Sequence, residues 1–437
     1  MPVKKRQTKG RKHNKRATRR QRAVKRGGGS QGSQGSQGTW HTSPSTQQST
    51  PTPTPPPAPV QWPESKEEKF KQKMHDLIRT NSVKEFKLEL EKKLKEVPFL
   101  EYATIPGGET LLMHAATESS FETFMYLINK GANIFAIDDG GRTPLIYAAE
   151  YRNSDLSREE NENSALARVQ VILGNLLQSV NVRAQKQNEA SEIKRTYIDG
   201  MDGNGYDAVG YAMMMLYPKV VEALLDFGAD IMVKYKGGLT PLMLACDLTD
   251  RDMQKRMSMI ILKKAMEKLI PSQSMPHFTG KLTPRRLTRY IAGELDVFVN
   301  ATDAVGRTAL IYLCHSSVQN PEVVKMLLHF GSNIESNNNY SPLLEICHHN
   351  GDDAYLICKM LLVEYLHRKN KFMEITEQTI DTQSTEIMLE MGSILEYFIL
   401  EDIYENNGYG GKDRIEAMSV AKKHNPQIYA LFQKLLA

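Results

Sequence analysis

Apolar positions along most of the chain follow one repeated pattern. A glycine or asparagine, one variable residue, a Thr, Asp or Ser, and then a short apolar stretch recur six times. The third position of this motif falls at 110, 143, 207, 240, 308 and 341, which gives intervals of 33, 64, 33, 68 and 33 residues. Each long interval is one period plus 31 or 35 residues. A 33-residue period predicts one supersecondary unit per repeat, and each unit must pack on its neighbours to bury its apolar face.

The residue types within each unit predict two helices. The Thr, Asp or Ser can cap the first helix, and a proline often follows where its missing N–H is harmless. Leu224-Leu225-Asp226-Phe227-Gly228-Ala229-Asp230 indicates a second helix that ends in a glycine, which supplies a left-handed C-cap. Second helices are expected to open at Pro218, Pro321 and Pro426.

These motifs resemble the ankyrin repeat, in which a turn ending in Gly-x-Thr-Pro-Leu precedes two helices and a Gly-Ala-Asp ending. The resemblance covers about residues 90–437 and implies an all-α ankyrin solenoid with short β-turn fingers. About six repeats are expected, with degenerate helical caps at both ends. The opening cap contains a Ser82–Glu85 capping box, and the closing one combines Ile415–Ala421 with Pro426–Leu436. The family's His after Thr-Pro-Leu is replaced at Met113, Ile146, Gly210, Met243, Ile311 and Leu344.

Four regions are expected from these patterns. Residues 1–63 form a disordered tail, because the basic block, the Gly-Ser-Gln linker and the Pro/Thr-rich piece contain no packable face. Residues 64–106 form the N-terminal helical cap, and 107–374 contain the repeats. Residues 375–437 hold an insertion and the C-terminal capping repeat. Insertions stretch alternate repeats near 151–165, 183–199, 270–293 and 370–408, and long connections of this kind are often functional.

Charge divides the chain unevenly. Residues 1–63 contain 13 Lys or Arg and no Asp or Glu, so the remainder carries a net charge of −8. No apolar run is long enough for a membrane span, and the N-terminus lacks the apolar centre of a secretory signal. We therefore expect an intracellular, cytoplasmic protein, with nuclear targeting left open. The basic arm has three alternatives: an import signal, a nucleic-acid-binding arm, or a solubilising tail. Its residues are Lys4, Lys5, Arg6, Lys15, Arg16, Arg19 and Arg20.

The sequence contains no motif that predicts catalysis, a cofactor or a metal site. Cys246, Cys314 and Cys347 occupy the small-residue position of successive first helices, where a buried packing role is expected. His348 and His349 are adjacent on a helix and point in different directions, so they are not expected to share a metal ion. Glycine-rich pieces fall at the repeat turns. We expect a protein that is not an enzyme and has no cofactor.

A partner-binding surface is the remaining candidate for function. In ankyrin stacks the concave face is built from the turns and the exposed ends of first helices. Transferred residue by residue, this implies a face containing Arg142, Tyr151, Tyr206, Met213, Met214, Leu239, Leu248, Arg307, His315, Tyr340 and His348. Tyr, Met and Arg are enriched at the centres of protein interfaces.

The sequence therefore predicts a monomeric, non-enzymatic scaffold that recognises a partner protein on the concave face. The resemblance also leaves room for a host-directed effector. The alternative is a nuclear or nucleic-acid-associated regulator, in which the basic arm binds nucleic acid or an import receptor and the repeats recruit a partner.

Overall fold

The structure is a computed structural model of the 437-residue chain. It describes residues 66–95, 107–118, 120–183, 187–269, 293–335, 340–369, 371–383, 385–399, 402–406 and 412–436. The predicted disordered tail at 1–63 lies outside the described residues, and so does the insertion near 270–293 apart from Gly293.

The described part of the chain is helical apart from one short hairpin. In chain order the helices are α1 Lys66–Arg79, α2 Val83–Leu94, α3 Leu111–Glu118, α4 Phe121–Asn129, α5 Pro144–Ala149, α6 Arg158–Arg183, α7 Gln187–Ile198, α8 Ala208–Met214, α9 Pro218–Phe227, α10 Pro241–Cys246, α11 Arg251–Leu269, α12 Glu294–Val299, α13 Ala309–His315, α14 Pro321–His329, α15 Pro342–Cys347, α16 Asp352–Arg368, α17 Thr385–Ile399, α18 Ala417–His424 and α19 Pro426–Leu436. The antiparallel strands are β1 Asp402–Asn406 and β2 Lys412–Glu416.

The helices stack as consecutive pairs in two layers. One layer consists of the first helices α1, α3, α5, α8, α10, α13, α15 and α18, each in contact with the next. The other consists of the second helices α2, α4, α6, α9, α11, α14, α16 and α19. The described residues thus form eight stacked pairs, which agrees with six repeats and a pair at each end. Their apolar faces form one continuous core.

The predicted turn residues cap the first helices. At the six positions the side-chain oxygen accepts a hydrogen bond from the backbone N–H three residues on, for example Asp207 from Gly210 at 2.8 Å. Pro218, Pro321 and Pro426 are each the first residue of a second helix, as predicted. Gly228 closes α9 with φ of 107°, in the left-handed region.

The turns between repeats project as fingers, and backbone hydrogen bonds join neighbouring fingers. The Asp139 N–H donates to the Gly107 carbonyl at 2.9 Å, and the Gly203 N–H donates to Gly140 at 2.7 Å. A third bond runs from Ala304 to Gly237 at 2.8 Å. The fingers therefore reinforce the stack along the edge opposite the helix–helix loops.

Two local predictions were wrong at the chain's ends. Ser82 precedes α2, but its side chain makes no capping bond; its hydroxyl lies 3.0 Å from the Thr80 hydroxyl instead. Ile415 belongs to β2, so the last first helix begins at Ala417 rather than at Ile415. Both positions border elements with no neighbouring repeat on one side, so the repeat pattern constrains them less.

The insertions add helices to the stack. The region near 151–165 is a loop followed by the first turns of α6, a helix of 26 residues, and the region near 183–199 forms α7 against α6. Helix α17 packs on α16 and α19, and Gly392 allows this approach because an added Cβ would lie 1.7 Å from the Leu435 carbonyl oxygen. None of the described helices has both the length and the apolar character needed to cross a membrane.

Candidate functional site

Three positions in each repeat face one another on the first-helix side of the stack. They are the residue before the capping residue and the residues four and seven after it. Contacts prove their proximity: Arg142 and Glu150 form an ion pair at 3.1 Å within one repeat, and His315 and Glu345 lie 2.9 Å apart across two repeats. We call this surface the inner face; it comprises Glu109, His114, Thr117, Arg142, Tyr147, Glu150, Tyr206, Tyr211, Met214, Leu239, Leu244, Asp247, Arg307, Tyr312, His315, Tyr340, Glu345 and His348.

Buried Tyr–Asp hydrogen bonds fix three fingers to their first helices. The tyrosine four residues after the cap donates to the aspartate five residues before it. The pairs are Tyr147 to Asp138 at 2.7 Å, Tyr211 to Asp202 at 2.6 Å and Tyr312 to Asp303 at 2.8 Å. Since these tyrosines are almost fully buried, they position the finger and leave contact with a partner to its exposed neighbours.

Arg142 and Arg307 cover these pairs from the solvent side. The Arg142 guanidinium lies 3.9 Å from the Tyr147 ring centroid, and Arg307 lies 4.4 Å from that of Tyr312. Arg307 also donates to the Asp303 carboxylate at 3.0 Å. Burial alone would raise the pKa of Asp303, but hydrogen bonds from the Arg307 backbone, Tyr312 and the Arg307 side chain hold that pKa below its ordinary value. Asp303 therefore stays charged and compensates Arg307.

An apolar strip crosses the centre of the inner face. Met214 is 48% exposed, and Tyr206, Leu239, Leu244 and Leu248 are partly buried against the core. The Tyr206 ring lies 5.2 Å from that of Tyr235, and both rest above Gly210, where an added Cβ would come within 3.2 Å of each. The strip presents a preformed apolar surface in two adjacent repeats, which is the feature that a hydrophobic anchor of a partner requires.

Two residues predicted for this face are buried and cannot contact a partner. Met213 is 1% exposed. Consecutive residues of a helix point in different directions, so Met214 faces solvent while Met213 faces the core against which α8 packs. Tyr151 is 5% exposed and stacks on the Arg168 guanidinium, 4.0 Å from the ring centroid. Arg142, Tyr206, Leu239, Leu248, Arg307 and Tyr340 are partly exposed, and Met214, His315 and His348 are exposed.

The predicted histidines lie at the C-terminal end of the inner face. His315 is 63% exposed at its side chain, and the His348 ring lies 5.5 Å from that of His424. Among the described residues, no group of three or more His, Cys, Asp or Glu side chains is arranged to hold a metal ion. The four cysteines are buried, and burial raises the pKa of the Cys246 thiol to about 12, which disfavours the reactive thiolate.

Sequence reasoning missed the position four residues after the cap. This position holds the three tyrosines that donate to the finger aspartates, and it holds Leu244, which completes the apolar strip. The 33-residue period could have revealed this position, because Tyr recurs there in three repeats. The pairing with aspartates nine residues earlier depends on the finger folding back over its helix, and the sequence alone does not show that fold.

A depression also lies between α7 and the fingers. Its volume is about 570 Å³, and its apolar walls come from Phe135, Ile137, Ile193, Tyr197 and Met201. Glu192 is the acidic side chain at this site. The depression exists because the insertion after α6 places an extra helix beside two fingers.

Stacked helix pairs with projecting fingers and an exposed inner face define a helical repeat solenoid. A sequence profile described as ankyrin repeats, in three copies, matches residues 80–158, and one described as an ankyrin repeat matches 305–339. The chain therefore contains ankyrin repeats at these two places. No curated protein matches it. Ankyrin repeats are a protein–protein interaction module, and ankyrin-repeat proteins are typically non-enzymatic scaffolds.

Proposed function

We propose that this protein is a non-enzymatic scaffold that recognises a partner protein on its inner face. The observation that supports this most is the apolar strip of Tyr206, Met214, Leu239, Leu244 and Leu248, which is held in place by neighbouring hydrogen-bonded fingers. A rigid surface of this kind loses little conformational freedom on binding, so its contacts contribute more fully to affinity. An effector that acts on a host protein would use the same surface.

The test is partner capture by the full chain with and without the strip. We expect Tyr206→Ala combined with Met214→Ala to abolish capture and to leave the helical circular dichroism unchanged. Truncating a central aromatic anchor typically costs about 2–4 kcal/mol, or roughly 30- to 1000-fold in affinity. The matched control is Met259→Ala on α11, a methionine that is 46% exposed but lies on a second helix.

Capture that survives the double substitution would contradict recognition by the strip. The depression beside α7 is then the next site to examine, with Ile137→Asp and Met201→Asp as the variants. Loss of capture in these variants alone would assign recognition to an insertion, with the solenoid as its carrier.

The basic arm supports a second proposal, in which the protein also binds nucleic acid or an import receptor. This proposal is supported by the 13 Lys or Arg in residues 1–63, a segment that contains no acidic residue. Replacing Lys4, Lys5, Arg6, Lys15, Arg16, Arg19 and Arg20 with Gln in the full chain should weaken nucleic-acid binding and flatten its salt dependence. Equal binding and equal salt slopes for both chains would leave the arm without this role.

A further inference from the structure

The inner face carries more negative than positive charge. The carboxylates on it and beneath its fingers are Glu109, Asp138, Glu150, Asp202, Asp247, Asp303 and Glu345. The guanidinium groups are Arg142 and Arg307. With histidines neutral, the inner face itself therefore has an excess of two negative charges, or of five when the three buried aspartates beneath the fingers are counted.

The two arginines are already compensated within the fold. Arg142 lies 3.6 Å from the Asp138 carboxylate and 3.1 Å from that of Glu150. Arg307 bonds to Asp303 at 3.0 Å. Neither arginine has charge to spare for an acidic partner, and both hold carboxylates in place beside the strip.

Asp247 is exposed and differs in this from the other carboxylates of the inner face, which are partly buried. Glu109 and Glu345 pair with His114 and His315, whereas no described residue forms a hydrogen bond or ion pair with the Asp247 carboxylate. Packing around it raises its pKa, and the more distant charges of His315 and Arg307 oppose that rise.

The position of Asp247 connects this charge to the apolar strip. It is the seventh residue after Thr240, the place that Met214 takes in the preceding repeat, and Leu248 follows it directly. Helices α8 and α10 are in contact, so Met214 and Asp247 are neighbours on the inner face. A ligand that fills the strip therefore lies beside a carboxylate that no described residue pairs with.

We propose that the inner face binds a protein segment in which a large apolar side chain lies next to a lysine or arginine. The apolar side chain packs on Tyr206, Met214, Leu239 and Leu244, and the cation pairs with Asp247. This inference rests on the proposed function, since it assigns a partner chemistry to the same face. An acidic segment is disfavoured because like charges across an interface are repulsive and suppress wrong partners.

The experiment selects ligands from a random 12-residue peptide library displayed on phage, using the immobilised full chain. Selected peptides are then synthesised, and their affinities are measured by fluorescence anisotropy at low and high salt. We expect enrichment of peptides that combine Leu, Ile, Phe, Tyr or Trp with Lys or Arg. Their affinity should fall at least tenfold on Asp247→Asn and should fall with rising salt.

A charge swap provides the decisive arm. Asp247→Lys should abolish binding of a selected peptide, and replacing that peptide's basic residue with Glu should restore it. Asp252→Asn on α11 is the control, because it removes an exposed carboxylate from a second helix and should change nothing. Circular dichroism of each variant separates loss of binding from loss of fold.

The outcomes distinguish the inference from the function on which it rests. Peptides that lose binding on Leu239→Arg but carry acidic or uncharged sequences would overturn the basic-partner inference and support the inner face as a binding site. Peptides that bind the Leu239→Arg variant as well as the parent, or a library that yields no peptide dependent on Leu239, would count against both.

Discussion

The third residue after each cap shows how single positions adapt the repeat. The family's His is absent at this position, and in two repeats a methionine sulfur there accepts a hydrogen bond. The backbone N–H of Thr110 donates to the Met113 sulfur at 3.3 Å, and that of Thr240 donates to Met243 at 3.4 Å. Sulfur is a weak acceptor, so these bonds contribute less than those to nitrogen or oxygen. The methionines therefore supply only weak polar contacts at this position.

Gly210 occupies this position in the fourth pair and makes room for aromatic rings. We expect Gly210→Ala to weaken partner or peptide binding, because the new Cβ would lie 2.9 Å from a Tyr206 ring carbon and 3.2 Å from Tyr235. Alanine is more favourable than glycine in a helix by about 1 kcal/mol, but crowding the two tyrosine rings costs about 1–3 kcal/mol. Gly174→Ala in α6 is the control. An added Cβ at Gly174 would have nothing within 4 Å, so this change should increase the free energy of unfolding. Chemical denaturation and anisotropy check both effects.

Asp207 takes the place that threonine holds in four other repeats. Its Oδ1 accepts from Gly210 at 2.8 Å and from the Tyr235 hydroxyl at 3.0 Å. Its Oδ2 is buried and has no hydrogen-bond partner among the described residues. Burial raises the pKa of this carboxyl to about 6, and its hydrogen bonds only partly oppose the rise. At neutral pH the fold therefore contains a costly buried charge.

This cost predicts how stability depends on pH. A raised carboxyl pKa means that the folded state binds the proton more tightly than the unfolded state. The stabilisation that protonated Asp207 gives the fold is therefore fully present below about pH 4 and is lost as pH rises through about 6. We expect Asp207→Thr to increase the free energy of unfolding at pH 7.5 by about 1–3 kcal/mol, because the cap remains and the charge is removed. Urea denaturation between pH 4 and 8 measures the difference, and equal pH profiles for both chains would contradict a charged Asp207 in the fold.

At the scale of elements, the two ends of a helix pair should differ in their sensitivity. Thr143→Ala should reduce stability by about 1 kcal/mol, because Ile146 loses its capping oxygen at 3.4 Å. Gly228→Val should reduce it more, because a β-branched residue is strained at a φ of 107°. Gly228→Asn is the matched control, since asparagine tolerates the left-handed region. Similar small losses for valine and asparagine would show that the C-cap is not constrained.

Elements built from the repeat were predictable, and elements built on contacts unique to this chain were not. The period placed all six caps and the prolines that open α9, α14 and α19, because each depends on its own few residues. The same local reasoning failed for the Ser82 cap and for Ile415, where no repeat defines the alignment. On the inner face it placed Tyr206 and Met214 but not the burial of Met213 and Tyr151. Those depend on how α8 rotates and on where the Arg168 side chain packs.

At the scale of the whole molecule, buried side chains tie three of the helix pairs to the pair that precedes each of them. The Tyr217 hydroxyl donates to the Tyr151 carbonyl at 2.9 Å, and Asn320 donates to the Arg251 carbonyl at 3.1 Å. Asn425 donates to the His349 carbonyl at 2.7 Å. Each lies immediately before the proline that opens a second helix. A solenoid with such nearest-neighbour ties is stabilised as a sum of repeat and interface terms.

The two asparagines allow a test of this description at different depths in the stack; Asn425 in addition caps α19, because its side-chain oxygen accepts from the Ile428 N–H at 2.9 Å. Either change to alanine removes a hydrogen bond to a carbonyl of the preceding pair, at a cost of about 0.5–1.5 kcal/mol, and Asn425→Ala also removes the cap of α19. Asn425→Ala lies in the last pair, so the loss should appear as faster hydrogen exchange confined to α18 and α19. Asn320→Ala lies between α11 and α14 in the interior, so it should accelerate exchange in the pairs on both sides. Uniformly faster exchange across all described helices in both variants would show that the stack unfolds as one cooperative unit. The inner face would then share a single stability, and a partner bound at its centre would protect the last pair as strongly as the fourth.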